Sequence, residues 1–158
     1  MRVAIITAST EVYREKEEDR SGELLKSYLQ EESDCEVVFM KALPNDREVI
    51  GTVLQRMADG ALADLVLTTG GAGCNPEDYT PEATMDVCDR LVPGISEGMR
   101  AYTMTKTKRA MLNRGVAGIR KQTLIVNLPG KAKAALSCLK YLLPELEHAC
   151  AVIGSEGE

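Results

Sequence analysis

Three glycines within four residues, Gly70-Gly71-Ala72-Gly73, follow two threonines, Thr68 and Thr69, and a carboxylate, Asp78, stands five residues beyond the last glycine. Without a Cβ, such a loop can take left-handed backbone conformations and bring its N–H groups close to a ligand, most commonly a phosphate. Hydroxyls and a carboxylate beside those amides suit a phosphate that arrives with a divalent cation. No Gly-Lys-Ser/Thr closes the loop, and its glycine spacing differs from the dinucleotide fingerprint, so neither of those motifs applies. For the glycines alone, the plain alternative is a tight strand-to-helix turn with no ligand. Cys74 stands at the tip of the loop, but the only histidine, His148, is far away in sequence and no base is suggested near the thiol.

The loop has to be carried by something on each side. Leu65-Val66-Leu67 before it predicts a buried strand, and Thr80-Pro81-Glu82 after it predicts a helix start, with Thr80 as N-cap and Pro81 at the first helical position. Upstream, Val3 to Thr7 predicts a central strand and Glu11 to Arg20 a charged loop or exposed turn. The spacing Leu24, Leu25, Tyr28, Leu29 predicts a helix, followed by a strand over Cys35 to Met40. Val49, Ile50, Val53, Leu54 and Met57 mark a second helix, capped by Asn45 or Asp46 and stopped at Gly60. Downstream, the helix from Thr80 extends to Leu91, Pro93-Gly94 breaks it, and a further helix runs from Ile95 to Leu112. Two short strands, Val116 to Ile119 and Thr123 to Asn127, pair antiparallel. The second empties into another strand-to-helix loop, Leu128-Pro129-Gly130. A helix then covers Ala132 to Leu143, and a last short one starts at Pro144.

This alternation predicts an α/β chain with a mostly parallel sheet covered on both faces, and such sheets bind ligands outside the C-terminal ends of their strands. That rule puts Thr69, Asp78, Asn127 and Lys131 along one edge, with the turn after Thr7 on the same side. A length of 158 residues with no composition break predicts a single domain over 1–158. The net charge of −5 argues against a nucleic-acid binder, although Lys106, Lys108, Arg109, Arg114, Arg120, Lys121, Lys131 and Lys133 gather in one third of the chain, where a small anion could use them. Five cysteines without a CxxC pair suggest neither a disulfide framework nor a zinc site. No apolar run approaches a membrane span or a signal-peptide core, so a cytoplasmic protein without a membrane partner is expected.

Five stretches in order resemble one family: Leu67-Thr68-Thr69-Gly70-Gly71-Ala72-Gly73, Asp78-Tyr79-Thr80-Pro81-Glu82-Ala83-Thr84, Pro93-Gly94-Ile95-Ser96-Glu97-Gly98-Met99-Arg100, Arg114-Gly115-Val116-Ala117-Gly118-Ile119-Arg120 and Leu124-Ile125-Val126-Asn127-Leu128-Pro129-Gly130. Together they are similar to the MogA/MoaB family of molybdenum-cofactor biosynthesis proteins, which has the fold of the gephyrin G domain. The resemblance implies a three-layer α/β/α sandwich, commonly a homotrimer, that binds molybdopterin. In its adenylyltransferase members it implies transfer of AMP from Mg·ATP to the molybdopterin phosphate, with release of pyrophosphate, ahead of a molybdate-insertion protein. Other proteins of the same fold would hold the pterin or nucleotide without turnover.

Carried over by position, the resemblance places Asp78 in catalysis and on Mg²⁺, and assigns Thr68 to Gly73 with Asn127, Pro129 and Gly130 to nucleotide and phosphate. Asp19, Ser21, Ser96, Met99 and Arg100 fall on the substrate side. Where active members have an acid after a proline, this chain has Asn45, with Asp46 next; Asp46 is expected to take over that acid's role, or else to cap the helix. Ser9-Thr10 replaces a usual Ser-Asp, and Pro129-Gly130-Lys131-Ala132-Lys133 replaces Pro-Gly-Ser-Pro-Lys. Met99, Met104 and Met111 on one predicted helix add to the expectation of an oligomer.

Overall fold

In chain order, the computed structural model, which describes residues 1–155, consists of β1 (Arg2–Ala8), α1 (Thr10–Tyr13), α2 (Arg20–Glu32), β2 (Glu36–Leu43), α3 (Arg47–Asp59), β3 (Leu65–Thr69) and α4 (Thr80–Val87). It continues with β4 (Arg90–Leu91), α5 (Pro93–Met104), a 3-10 turn (Lys108–Leu112), β5 (Ala117–Arg120), β6 (Thr123–Leu128) and α6 (Ala132–Gly154). The six strands form one sheet in the order β2-β1-β3-β6-β5-β4. β2, β1, β3 and β6 are mutually parallel, and β5 runs against both of its neighbours, β6 and β4. This is the mostly parallel sheet with one reversed strand that the alternation and the resemblance imply.

Strand residues alternate between two cores because successive side chains point to opposite faces. Val3, Ile5, Leu65, Leu67, Leu124 and Val126 face one way, onto α2, α5 and α6 through Leu25, Leu29, Met99, Leu139 and Leu142. Ala4, Ile6, Val66 and Ile125 face the other way, onto α3 and α4 through Ile50, Leu54, Ala83 and Val87. The three central parallel strands are apolar on both faces, which is why they read as continuous hydrophobic runs rather than as alternating ones. Among the described residues no helix is long and apolar enough to cross a membrane.

Four local expectations are corrected. Tyr79, not Thr80, is the N-cap of α4, without a side-chain cap bond, because the Thr80 hydroxyl is drawn inward and donates to the Gly70 carbonyl at 3.0 Å. The same helix stops at Val87 instead of Leu91; Cys88 is extended, and Arg90–Leu91 adds a short edge strand to β5. The helix expected over Ile95 to Leu112 ends at Met104. Thr103 and Thr105 hydroxyls donate to carbonyls of the preceding turn, and Thr107 caps the separate 3-10 turn, so the threonines compete with the helix for its own backbone groups.

The fourth correction is at Pro144, which sits inside a continuous α6 rather than starting a new helix. An interior proline costs ~3 kcal/mol or more. Leu139, Leu142, Leu143 and Leu146 on either side of it are buried against the sheet, and each such side chain contributes about 1.5–3 kcal/mol, so packing outweighs the break. Pro144 itself lies on the exposed face.

Candidate functional site

The ends of β1, β3 and β6 meet at one edge of the sheet, and the glycine loop starts there with two left-handed residues, Gly70 (φ 93°) and Gly71 (φ 67°). A Cβ on Gly70 would run into the Ala8 carbonyl and one on Gly71 into the Thr80 hydroxyl, so the turn admits only glycine at both places. The loop's carbonyls face the protein: Gly71 O accepts from Thr80 N at 3.0 Å and Ala72 O from Arg114 N at 2.7 Å. The amides of Gly71, Ala72 and Gly73 donate to no acceptor among the described residues. Thr69 Oγ1 donates to Pro129 O at 2.7 Å and fastens this loop to the one that follows β6.

Beneath the loop lies a buried polar knot. Asn127 Nδ2 donates to Thr68 Oγ1 and Thr84 Oγ1, both at 3.0 Å, its Oδ1 accepts from Val116 N at 3.1 Å, and Thr84 Oγ1 donates to Thr80 O at 2.9 Å. Asn127, Thr68, Thr80 and Thr84 have no exposed surface, so these side chains support the loop from behind and line no cavity.

Asp78 is held by a reciprocal pair with Asn75: its N–H donates to Asn75 O at 3.0 Å, and its Oδ2 accepts from Asn75 N at 2.9 Å. Its carboxylate borders two cavities, of about 610 Å³ and about 1250 Å³, which share Gly70, Gly71, Gly130 and Lys131. The smaller cavity runs from the glycine loop to α5 and the 3-10 turn, over Met99, Thr103, Ala110, Leu112 and Ala134, so its floor is largely apolar. The larger one opens between the ends of β1 and β3 and the start of α2, and is polar and charged. A flat ring with a phosphate tail suits the first; in the second, phosphates would be favoured only beside Lys131 and Lys133, because Glu17, Glu18, Asp19 and Glu23 make the α2 side acidic.

On the β1 side, Asp19 caps α2 through Gly22 N at 2.9 Å and accepts from the Thr7 hydroxyl at 2.9 Å, which fixes its carboxylate at the rim of the larger cavity beside Ser21. Asn45 lines the same cavity, and its side-chain oxygen has no protein partner among the described residues. Asp46 is elsewhere: it is exposed, caps α3 through Val49 N at 3.0 Å, and borders neither cavity, so the capping alternative is the one its geometry displays. Met99 is buried under the smaller cavity. Arg100 reaches that cavity's wall, with one guanidinium nitrogen donating to the Asn113 and Gly115 carbonyls at 3.3 and 2.9 Å. Ser96 is buried in α5, lines neither cavity, and its hydroxyl has no partner among the described residues.

The basic residues sort into different jobs. Arg109, Lys131 and Lys133 border the cavities. Arg120 and Lys121 instead pair with Asp59, and the Arg120 hydrogen bond holds that carboxyl down at about 2. Lys106 sits over the Tyr102 ring, 4.6 Å from its centre. Arg114 clamps the glycine loop. Arg109 is one of the clustered basic residues that a small anion could use, but residue spacing gives no sign of Ala110 and Leu112 as cavity wall, because it predicts a uniform helix there; the alternating threonines 103, 105 and 107 are the available signal. Cys74 is exposed at the rim, 3.4 Å from the Leu112 carbonyl. Among the described residues no three His, Cys, Asp or Glu side chains converge as a metal cluster.

Residues 4–148 match the family described as "Probable molybdopterin binding domain". A molybdopterin adenylyltransferase of Helicobacter pylori is 35% identical over 154 residues, covering 97% of this chain and 88% of the relative. One of Escherichia coli K12 is 36% identical over 144 residues, covering 89% and 72%. The crystal structure of the molybdopterin biosynthesis enzyme MoaB from Thermus thermophilus superposes with a TM-score of 0.90 at 41% identity, over 96% of this chain and 95% of that one.

Proposed function

The chain belongs to the family of probable molybdopterin binding domains, and from that premise we propose that it is a molybdopterin adenylyltransferase of molybdenum-cofactor biosynthesis. An oxygen of the molybdopterin phosphate attacks the α-phosphorus of ATP, the bond from that phosphorus to the bridging oxygen breaks, and pyrophosphate leaves with the bond's electrons. No protein nucleophile is needed; the work is positioning and charge stabilisation. The observation that carries this reading is that Asp78 and Gly71 stand at the join of the two cavities, with the unpaired amides of Ala72 and Gly73 next to them on the smaller one.

In this reading the pterin lies over the apolar floor at Met99, and the triphosphate runs along Gly70 to Gly73 and Gly130 toward Lys131 and Lys133. Thr69 and Pro129 hold the two loops in register, while Thr68 and Asn127 act from beneath. Asp19 and Ser21 border the phosphate end, Arg100 the pterin end, and Ser96 stays in the packing of α5. Mg²⁺ commonly binds one or two carboxylates together with substrate phosphates. Asp78, whose second carboxylate oxygen has no protein partner among the described residues, fits that role where a dedicated cage of ligands is not required. Mg²⁺ supplies neutralisation of the phosphate charge; Asp78 orients, and the loop amides donate.

The product would pass to a molybdate-insertion protein in the cytoplasm. A homotrimer is proposed alongside: Met104, Met111, Leu112 and Tyr141 expose 45–61% of their surface, an apolar set that association would cover. Incubating the protein with molybdopterin, Mg²⁺ and ATP tests the assignment, with adenylated pterin and stoichiometric pyrophosphate expected. Pterin binding without either product would overturn it in favour of a carrier of the same fold, a reading that Asn45 at a usually acidic position favours.

A further inference from the structure

Arg114 touches the glycine loop, the Asp78 backbone and helix α4 together, yet lines neither cavity. Its Nε donates to Gly73 O at 2.7 Å and its Nη2 to Asp78 O at 2.9 Å, while both terminal nitrogens reach Glu82, at 2.8 and 3.2 Å. Its own N–H holds Ala72 O at 2.7 Å. The residues on either side of it are fixed in turn: Gly115 N donates to Asn113 Oδ1 at 2.8 Å, and Arg100 on α5 donates to the carbonyls of both. A continuous set of bonds therefore runs from α5, through the turn 113–115, to the loop 72–78 on the opposite wall of the smaller cavity.

Both members of the Arg114–Glu82 pair are partly exposed, at 39% and 25%, and pairs in such settings contribute little stability. The geometry is the informative part. Three acceptors in three directions are satisfied by one planar fork, which a lysine cannot reproduce because its donors radiate from a single nitrogen. The Gly73 and Asp78 carbonyls flank the segment 74–77, so fixing both sets where the Asp78 side chain leaves the backbone.

We infer that Arg114 is a positioning residue for nucleotidyl transfer: it sets the direction of the Asp78 carboxylate and of the Ala72 and Gly73 amides without meeting the substrate. This rests on the assignment of Asp78 to Mg·ATP. Misplacing a reacting group by about 1 Å can cost roughly 100-fold in rate. Arg114→Ala is therefore expected to lower kcat for pyrophosphate release by about that factor and to raise the Mg²⁺ concentration giving half-maximal rate, with thermal unfolding little changed. Arg114→Lys recovers only a small part.

Guanidinium at millimolar concentration should partly restore Arg114→Ala and leave Asp78→Asn inactive, a distinction that a merely structural role does not produce. Wild-type kcat and Mg²⁺ response in Arg114→Ala, or a rate loss that guanidinium does not relieve, overturns the inference. Should Arg114→Ala not fold, Arg114→Lys is judged by the same rate and Mg²⁺ criteria. If the wild type releases no pyrophosphate, the function reading fails and the role in nucleotidyl transfer with it, and amide hydrogen exchange then decides only whether Arg114 fixes the loop 72–78. Faster exchange confined to the bonded amides of Asn75 and Asp78 in the variant supports that, and unchanged exchange there sinks it.

Discussion

The Thr69 hydroxyl donates to the Pro129 carbonyl at 2.7 Å, so the loops that end β3 and β6 are bonded to each other and not merely adjacent. The glycine-loop amides and Gly130, the backbone groups assigned to phosphate, lie on these two loops. Thr69→Val keeps the shape and β-branching and removes the donor, leaving a carbonyl short of its partner. A loss of about 1–3 kcal/mol in urea unfolding is expected. Pyrophosphate release should fall several-fold, with Thr69→Ser retaining both properties. A valine variant as active and as stable as the wild type would show that the loops keep their register without this bond.

Asn127 makes a second prediction on stability alone. Its fully buried side chain satisfies three partners, so Asn127→Leu leaves the Val116 amide without its acceptor and the Thr68 and Thr84 hydroxyls without the donor they accept from. Each buried unpaired group costs about 1–3 kcal/mol, and the Thr84 hydroxyl keeps its own bond to the Thr80 carbonyl, so a net loss of at least about 2 kcal/mol is expected. The denaturant midpoint should move with the slope unchanged. A midpoint within error of the wild type would mean that Asn127 faces a ligand after all.

The sheet was legible because β1, β3 and β6 are apolar on both faces and each is bounded by turn residues; periodicity needs nothing more. The loop at Gly70 was legible because left-handed backbone demands glycine, and the demand shows in the residue type. What stayed hidden depends on partners distant in the chain. Nothing near Thr80 says that its hydroxyl turns to Gly70 instead of capping its own helix, and although four leucines keep helical spacing across Pro144, only the sheet they pack on decides that the helix continues. Leu91 sits at helical spacing from Val87 yet joins a strand, because the backbone of β5 is waiting beside it and two residues carry too little periodicity to reveal that. Asp78 and Asp46 looked alike in sequence, each an acid ahead of a helix; only the cavity walls separate them.

Cys74 supplies a probe of the site that needs no substitution. Cys35 and Cys138 are buried, burial pushes the Cys88 thiol up to about 11 and the Cys150 thiol up to about 12, and the thiolate is the form that reacts. At pH 8 an alkylating agent should therefore modify Cys74 first, and by a wide margin, as read by peptide mass mapping. Because Cys74 stands at the rim of the smaller cavity, saturating molybdopterin should slow the modification. Equal labelling with and without pterin would place the ring in the other cavity.

Asp46 and Asp78 part company under one pair of substitutions. Asp46 caps α3 from an exposed position off both cavities, and asparagine caps a helix about as well as aspartate, so Asp46→Asn should leave stability within ~0.5 kcal/mol and turnover unchanged. Asp78 stands where a triphosphate would repel its carboxylate unless a cation lay between them. Asp78→Asn keeps the acceptor for the Asn75 amide, so fold and pterin affinity should persist, while pyrophosphate release is lost at saturating ATP and Mg²⁺. The two variants measured side by side, by thermal unfolding, pterin titration and pyrophosphate release, give opposite signatures if the charge is needed only at Asp78. Activity lost in Asp46→Asn and kept in Asp78→Asn would move the catalytic carboxylate to the start of α3, and with it the whole placement of the triphosphate.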